Sequence, residues 1–127
     1  MTITTPNTQL LLHANEGGDL RMDYYGPKAC TDQELRDAGC AINSSALPAF
    51  GTVDMVQLPA IQVQHADGDL NLELKVKDFE MKDEAEAKTY VFTLEDKLLP
   101  VTVKVFYKAF RNLDIIETWT EINNGEK

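Results

Sequence analysis

Alternation of apolar and polar residues is the feature that most constrains how this chain can fold. In residues 70–76, leucine or valine occupies every second position and polar residues fill the positions between. Residues 101–108 repeat the pattern with valine and tyrosine, and residues 61–64 show it over a shorter length. Because successive side chains of a β-strand point to opposite faces, this pattern predicts strands with one buried face.

Four further segments are rich in β-branched and aromatic residues, which pack well on a pleated sheet. They cover residues 9–13, 20–25, 89–94 and 113–122. Turn-forming residues separate the predicted strands at 15–19, at Asp67 and Gly68, at Pro100 and at 123–125. Strands at short spacing with hairpin turns predict an all-β fold, an antiparallel β-sandwich with a single domain over 1–127. A β-barrel is the alternative that the same local pattern allows.

Three segments depart from the strand pattern. Residues 32–38 are predicted to form one short helix, because Thr31 can cap it, Glu34 stands three residues later as in a capping box, and Gly39 can end it. Residues 41–52 contain proline and glycine and are predicted to be irregular. For the charged run at 82–88, we favour a solvated loop over a helical turn.

The net charge of the chain restricts the classes of binding partner that we expect. The 127 residues include 21 acidic and 12 basic side chains, a formal net charge of −9. Such a surface repels phosphate backbones and anionic lipids, so we predict no nucleic-acid and no membrane partner. Residues 1–7 lack the features of an export signal, and we assign no location. For Cys30 and Cys40 we favour two free thiols, with a disulfide in an oxidising compartment as the alternative.

A search for catalytic constellations finds none in the sequence. His13 and His65 each stand at the end of a predicted strand without a second histidine or a cysteine at ligand spacing. Ser44 and Ser45 lie in a predicted loop without a nearby histidine, and no glycine-rich phosphate motif is present. The carboxylates mostly alternate with apolar residues, as on the solvated face of a sheet. We therefore predict no catalytic residue, no metal site and no cofactor.

Four aromatic side chains are the remaining candidates for ligand contact. Tyr24, Tyr25, Tyr107 and Trp119 could each stack on a sugar ring. All four lie within predicted strands, where aromatic residues usually pack in the core or across strands. We expect packing for each of them and leave the substrate-binding residues unassigned.

Four stretches occur in an order that points to a known family. They comprise residues 7–15 followed by 18–26, residues 47–54 followed by 58–68, the strand at 70–79, and the segments 90–96, 101–107, 114–116 and 122–125. Together they resemble the N-terminal domain of the family 36 α-galactosidases. That domain shows a glycine followed by a strand ending in Tyr-Tyr-Gly, a Pro-Ala-aromatic-Gly loop, and a later strand pair, in the same order.

The resemblance implies a fold, an activity and a division of labour. Members of that family hydrolyse terminal α-linked galactose, as in melibiose and raffinose-type sugars, with two aspartates on a barrel that follows this domain. The N-terminal domain there is a galactose-mutarotase-like supersandwich that packs on the barrel and supports oligomer contacts. We therefore expect this chain to be roughly the first half of that supersandwich, inactive alone, and part of a homo-oligomer.

Two regions depart from the family pattern. Residues 54–59 are one residue longer than the usual Asp-x-Arg-x-Pro run and lack its arginine. Residues 27–47 are short where some members send a loop into a neighbouring active site. We carry over no substrate-binding residue, and Asp54, which does match a motif position, is interpreted as a brace for its loop.

Two other classes of function remain open. One is a free-standing carbohydrate-binding or adhesion module, and the other is a structural or assembly domain. Half of a sandwich would also leave apolar faces or unpaired strand edges uncovered, so we expect the isolated chain to self-associate.

Overall fold

The described residues form two four-stranded antiparallel sheets, and within each sheet every strand pairs with the next along the sequence. The computed structural model describes residues 1–28, 31–37, 44–49 and 58–126. The first sheet has the order β1-β2-β3-β4 and comprises Thr2–Thr4, Thr8–Ala14, Leu20–Pro27 and Ser44–Ser45. The second has the order β5-β6-β7-β8 and comprises Leu74–Asp83, Ala87–Asp96, Val101–Phe110 and Ile116–Asn124. One helix, α1, spans Asp32–Asp37 between β3 and β4.

Buried side chains from both sheets meet in one core, which confirms the predicted β-sandwich. The first sheet contributes Ile3, Leu10, Leu12 and Leu20. The second contributes alternate residues of its two central strands, Tyr90, Phe92, Leu94, Val101, Val103, Val105, Tyr107 and Ala109. Burial of these side chains stabilises the sandwich by roughly 1.5 to 3 kcal/mol for each large aliphatic or aromatic group relative to an exposed position.

Four of the predicted strands are confirmed with small changes at their ends. The segments 9–13, 20–25, 89–94 and 101–108 lie within β2, β3, β6 and β7. The segment 113–122 begins later than predicted, because Phe110 donates a backbone hydrogen bond to Ile115 and closes a turn before β8. Pro100 directly precedes β7, as predicted for a residue that cannot donate to a ladder.

The prediction of a strand at 61–64 is wrong. Ile61 makes only an isolated parallel bridge to Ala49, although both side chains are buried in the core. The tight turn predicted at Asp67 and Gly68 is present, with Gly68 at φ 89°, but it joins two segments that are not strands. In this segment, an alternating apolar residue is buried in the core although the segment does not pair with another strand.

The strand predicted at 70–76 begins only at Leu74 and continues to Asp83. Its first residues are bound locally, because Asp69 Oδ1 accepts the backbone N–H groups of Leu70 (2.7 Å) and Asn71 (3.1 Å). The alternation breaks beyond Val76 because the register shifts between Val76 and Asp78. An extra residue in a bulge moves the following apolar side chains from even to odd positions, which interrupts the alternation along the sequence.

Other differences concern short elements. The loop favoured at 82–88 is restricted to 84–86, because Lys82 and Asp83 pair with Thr89 and Lys88 in a β5–β6 hairpin. Within the segment 41–52, Ser44 and Ser45 form β4 against β3, and residues 41–43 and 50–52 lie outside the described residues. Strand β1 was not predicted, and the prediction of a turn at 123–125 is wrong for Asn123 and Asn124, which belong to β8.

The predicted helix and its capping box are confirmed. The backbone N–H of Glu34 donates to Thr31 Oγ1 (3.2 Å), and the backbone N–H of Thr31 donates to Glu34 Oε2 (2.8 Å). This reciprocal pair satisfies two amide groups that would otherwise lack a partner in the first turn. Gly39, Cys30 and Cys40 lie outside the described residues, so the state of the two thiols stays a prediction.

Candidate functional site

The two histidines occupy different environments, and neither stands in a cluster of metal ligands drawn from the described residues. His13 Nδ1 lies 2.6 Å from Asp23 Oδ2 on the neighbouring strand. His65 lies in a loop rather than at a strand end, and its side chain is fully buried. Among the described residues, no three histidine, cysteine or carboxylate side chains come together as a metal site would require.

Several carboxylates at turns and caps have a lowered pKa, which is the opposite of what a glycosidase acid needs. A general acid of this type needs a raised pKa so that it holds its proton at neutral pH. Hydrogen bonds to Asn7 and Thr5 lower the pKa of Asp114, and bonds to Thr31 lower that of Glu34. Bonds to Asn71 and Leu70 likewise lower the pKa of Asp69. These groups brace turns and caps as anions.

The aromatic candidates pack largely as expected. Tyr107 is buried, lies edge-on to Phe92, and has its pKa raised to about 12 by burial. Trp119 stacks on Phe106 across β7 and β8, with ring centroids 4.7 Å apart. Tyr24 donates its hydroxyl to the Pro27 carbonyl. Tyr25 differs from the expectation, because it is 54% exposed.

The most distinctive surface is the part of the second sheet that the first sheet leaves uncovered. We call it the uncovered edges and define it as residues 78–83 of β5 and 117–124 of β8, all of which are exposed. On the core-facing side, the register aligns Phe79 with Phe92 and Val105, so that a buried row ends in an exposed aromatic ring. Met81 (52% exposed) and Ile122 (55% exposed) end the rows on either side of it.

The uncovered edges combine exposed apolar side chains with the edge strands of the second sheet. Strands β5 and β8 are the two edges of their sheet, so one side of each lacks a strand partner among the described residues. Exposed apolar side chains beside unpaired strand edges are the features by which sheets recruit further polypeptide. Sequence reasoning anticipated such a surface in general terms, but the bulge in β5 concealed which residues form it.

A carboxylate that the sequence analysis did not single out ties the two halves of the chain together. Asp114, just before β8, accepts hydrogen bonds from the backbone and side-chain nitrogens of Asn7 (2.7 and 2.8 Å) and from Thr5 Oγ1 (2.9 Å). These partners are 107 and 109 residues away along the chain. Local sequence patterns carry no signal for a contact over that separation.

This brace predicts an acid-dependent loss of stability. Because the Asp114 pKa is lowered from its ordinary 3.8 in the folded chain, its contribution is present above that value and is lost as pH falls through the lowered pKa. Asp114→Asn would place an amide nitrogen against the Asn7 Nδ2 donor. We expect a lower urea midpoint for the variant at pH 7 and a shrinking difference from the wild type below about pH 4.

The matched control is Glu121→Gln, on an exposed position of β8. It removes one negative charge of the same chain and should leave the midpoint nearly unchanged across the same pH range. An equal loss of stability in both variants would show that net charge, rather than the Asp114 hydrogen bonds, causes the effect.

Comparison with known proteins identifies the family. The family model described as the glycosyl hydrolase family 36 N-terminal domain matches residues 18–127. The chain belongs to this family. No curated protein matches it in sequence. Residues 50–57, which include Asp54 and most of the segment 54–59 that departs from the family pattern, lie outside the described residues, so the interpretation of Asp54 as a brace stays a prediction.

Solved structures share the fold of this family 36 N-terminal domain. A family 36 α-galactosidase from Geobacillus stearothermophilus, in complex with raffinose, aligns with a TM-score of 0.83 at 19% identity over 99% of this chain and 22% of its own. The galactosidase domain of an α-galactosidase–sucrose kinase aligns with a TM-score of 0.80 at 24% identity, and the alignment covers 97% of this chain and 22% of that one. The α-galactosidase from Lactobacillus brevis aligns with a TM-score of 0.79 at 19% identity, and the alignment covers 96% of this chain and 21% of that one.

The chain thus spans about a fifth of the length of these solved structures. At these identities the likeness establishes the fold of the family 36 N-terminal domain. Within the described ranges, no helix is long and apolar enough to cross a membrane.

Proposed function

We propose that this chain is the non-catalytic N-terminal β-sandwich module of an α-galactosidase that hydrolyses terminal α-galactosides of the melibiose and raffinose type. The observation that carries the proposal is the family match over residues 18–127. The raffinose and stachyose complexes of the Geobacillus stearothermophilus relative support the substrate class. Catalysis belongs to the parent enzyme, and this chain contributes no catalytic residue, metal ligand or cofactor site.

The role of the module is to support the catalytic barrel and oligomer contacts. The uncovered edges support this role, because exposed apolar side chains such as Phe79 and Ile122 release free energy when further polypeptide removes them from water. The net charge of −9 supports a further part of the proposal, that the partners are protein rather than nucleic acid or membrane. Residues 1–127 act as one β-sandwich unit, and the parent enzyme is a homo-oligomer.

An activity assay tests the catalytic part of this proposal. The purified 127-residue chain, incubated with an aryl α-galactoside, is expected to give no turnover above a buffer control. The reading frame that follows residue 127 in the gene is expected to encode a barrel with two aspartates at strand ends. Clear hydrolysis by the chain, or a following sequence without such a barrel, would contradict the proposal.

A free-standing carbohydrate-binding module is the second candidate, and one observation favours it. Tyr25 is 54% exposed, and a flat exposed ring can stack on a sugar. Calorimetric titration of the chain with galactose, melibiose and raffinose separates the two functions. Saturable binding that Tyr25→Ala abolishes would support the binding module, whereas absence of binding is expected for a scaffold. A structural or assembly domain would also bind no sugar, but no barrel would follow it in the gene.

A further inference from the structure

His65 is held between two groups that can only accept hydrogen bonds. Its Nδ1 lies 2.5 Å from Glu126 Oε1, and its Nε2 lies 2.8 Å from the Asn71 carbonyl oxygen. A backbone carbonyl has no proton to donate, so Nε2 carries one. An ionised carboxylate has none either, so Nδ1 carries the second. The arrangement is therefore that of a buried imidazolium paired with a carboxylate.

The same carboxylate reaches a second group of the loop. Glu126 Oε2 accepts the backbone N–H of Ala66 (3.0 Å), so one side chain holds both the ring and the main chain. Glu126 follows the end of β8, where Gly125 donates to the Pro100 carbonyl and the Glu126 N–H donates to Asn124 Oδ1. His65 and Glu126 are 61 residues apart in sequence. Their contact joins the segment after β8 to the loop at 65–71.

We propose that His65 and Glu126 form a proton-dependent clasp that fixes the path of the chain after β8 against the loop at 65–71. The clasp is closed while the imidazole carries both protons. Loss of the Nδ1 proton would set a nitrogen lone pair against the Glu126 carboxylate at hydrogen-bond distance, and that repulsion opens the contact. The Asn71 bond through Nε2 survives this step, so the ring stays in the loop while Glu126 is released.

The surrounding charges favour the closed state. The hydrogen bond to Glu126 and the Asn71 carbonyl raise the pKa of His65, with the charges of Glu126 and Asp96 acting in the same direction and burial opposing them. The His65 bond and the Ala66 amide lower the pKa of Glu126, and Asp96 opposes this. Asp69, whose backbone carbonyl accepts the His65 backbone N–H (2.8 Å), also responds to this charge, because His65 lowers the Asp69 pKa in part.

These shifts define the pH range of the clasp. The raised pKa of His65 means that its contribution is complete below the ordinary value of 6.5 and is lost as pH rises through the higher folded value. The lowered pKa of Glu126 means that its contribution is present above 4.5 and is lost as pH falls through the lower folded value. The stabilising contribution of the clasp is therefore complete between pH 4.5 and 6.5, and the clasp opens as pH rises through the raised pKa of His65.

An NMR titration of the unmodified 127-residue chain tests the proposal directly. With only two histidines in the sequence, His13, which is partly exposed, serves as the internal comparison. Both ring nitrogens of His65 are expected to show imidazolium shifts at pH 6.5. The chemical shift of the Ala66 amide is expected to change with the same midpoint. Above that midpoint, its hydrogen is expected to exchange with solvent about tenfold faster than base catalysis alone would predict. A His65 midpoint at or below 6.5, or an Ala66 amide that does not follow it, would overturn the proposal.

Two matched variants separate the clasp from general electrostatics. Glu126→Gln keeps the shape but removes the charge, and should weaken proton binding at His65 by about tenfold, one pKa unit. Glu121→Gln removes a charge from exposed β8 and should leave the His65 midpoint in place. Equal effects of the two variants, or no effect of Glu126→Gln, would count against the clasp, and circular dichroism verifies that each variant is folded.

Discussion

Leu12→Ala is expected to lower the free energy of unfolding by about 2 to 5 kcal/mol. Leu12 lies in β2 with none of its side chain exposed, and it belongs to the core shared by both sheets. The substitution removes apolar surface from that core and leaves a cavity, because close-packed neighbours relax only in part. Urea denaturation followed by circular dichroism measures the change as a lower midpoint at unchanged slope.

The chain offers a matched control for this prediction. Leu58→Ala makes the same chemical change at a side chain that is 93% exposed, and it should alter the free energy of unfolding by no more than about 0.5 kcal/mol. Comparable losses for the two variants would mean that Leu12 does not lie in a packed interface between the sheets. The comparison of the two variants therefore tests whether Leu12 is packed between the two sheets, because the loss of a leucine side chain is the same in both.

The second large effect expected is self-association of the chain at high concentration. The uncovered edges present Phe79 (41% exposed), Met81 and Ile122 beside strand edges that other copies can pair with. Burial of apolar surface between two copies would contribute roughly 25 cal/mol for each Å² removed from water. Sedimentation velocity over a concentration series is expected to show dimers or larger species that grow with concentration.

Met81→Lys should weaken this association at least about tenfold, because a charge on the inner face of an edge strand disfavours strand pairing. Leu98→Lys makes a similar change at a loop residue that is 82% exposed and should leave the association constant nearly unaltered. A monodisperse wild-type monomer at high concentration would show that these edges do not recruit a second copy. Equal weakening by both variants would point to net charge instead.

The elements that the sequence predicted well are those in which local pattern and tertiary burial agree. In β7, the valines at alternate positions point to the core, and the burial follows the sequence period. In β5, the register shift after Val76 changes the phase of the pattern, so that Phe79 and Met81 share a face with Val76 in spite of the odd spacing. A period-two analysis loses the strand at that point for a geometric reason.

Short or locally bonded segments could not be predicted in the same way. Strands β1 and β4 have three and two residues, too few for a period to be recognised, and exist because a neighbouring strand pairs with them. The segment at 61–64 has the alternation of a strand but pairs only at Ile61. Whether a suitable segment joins a ladder depends on the presence of a partner edge, at whatever distance along the chain.

The sequence by itself determined the all-β class of this protein and most of β2, β3, β6 and β7 through alternation and composition, and the capping box of its helix through Thr31 and Glu34, because each depends on residues a few positions apart. The order of four family motifs further indicated family 36, which the family match over residues 18–127 bears out. Only the tertiary structure decided which apolar residues stay exposed, how Asp114 reaches Asn7, and that His65 meets Glu126. Those contacts join residues 61 to 109 positions apart, and their energies appear only when the two sheets are assembled.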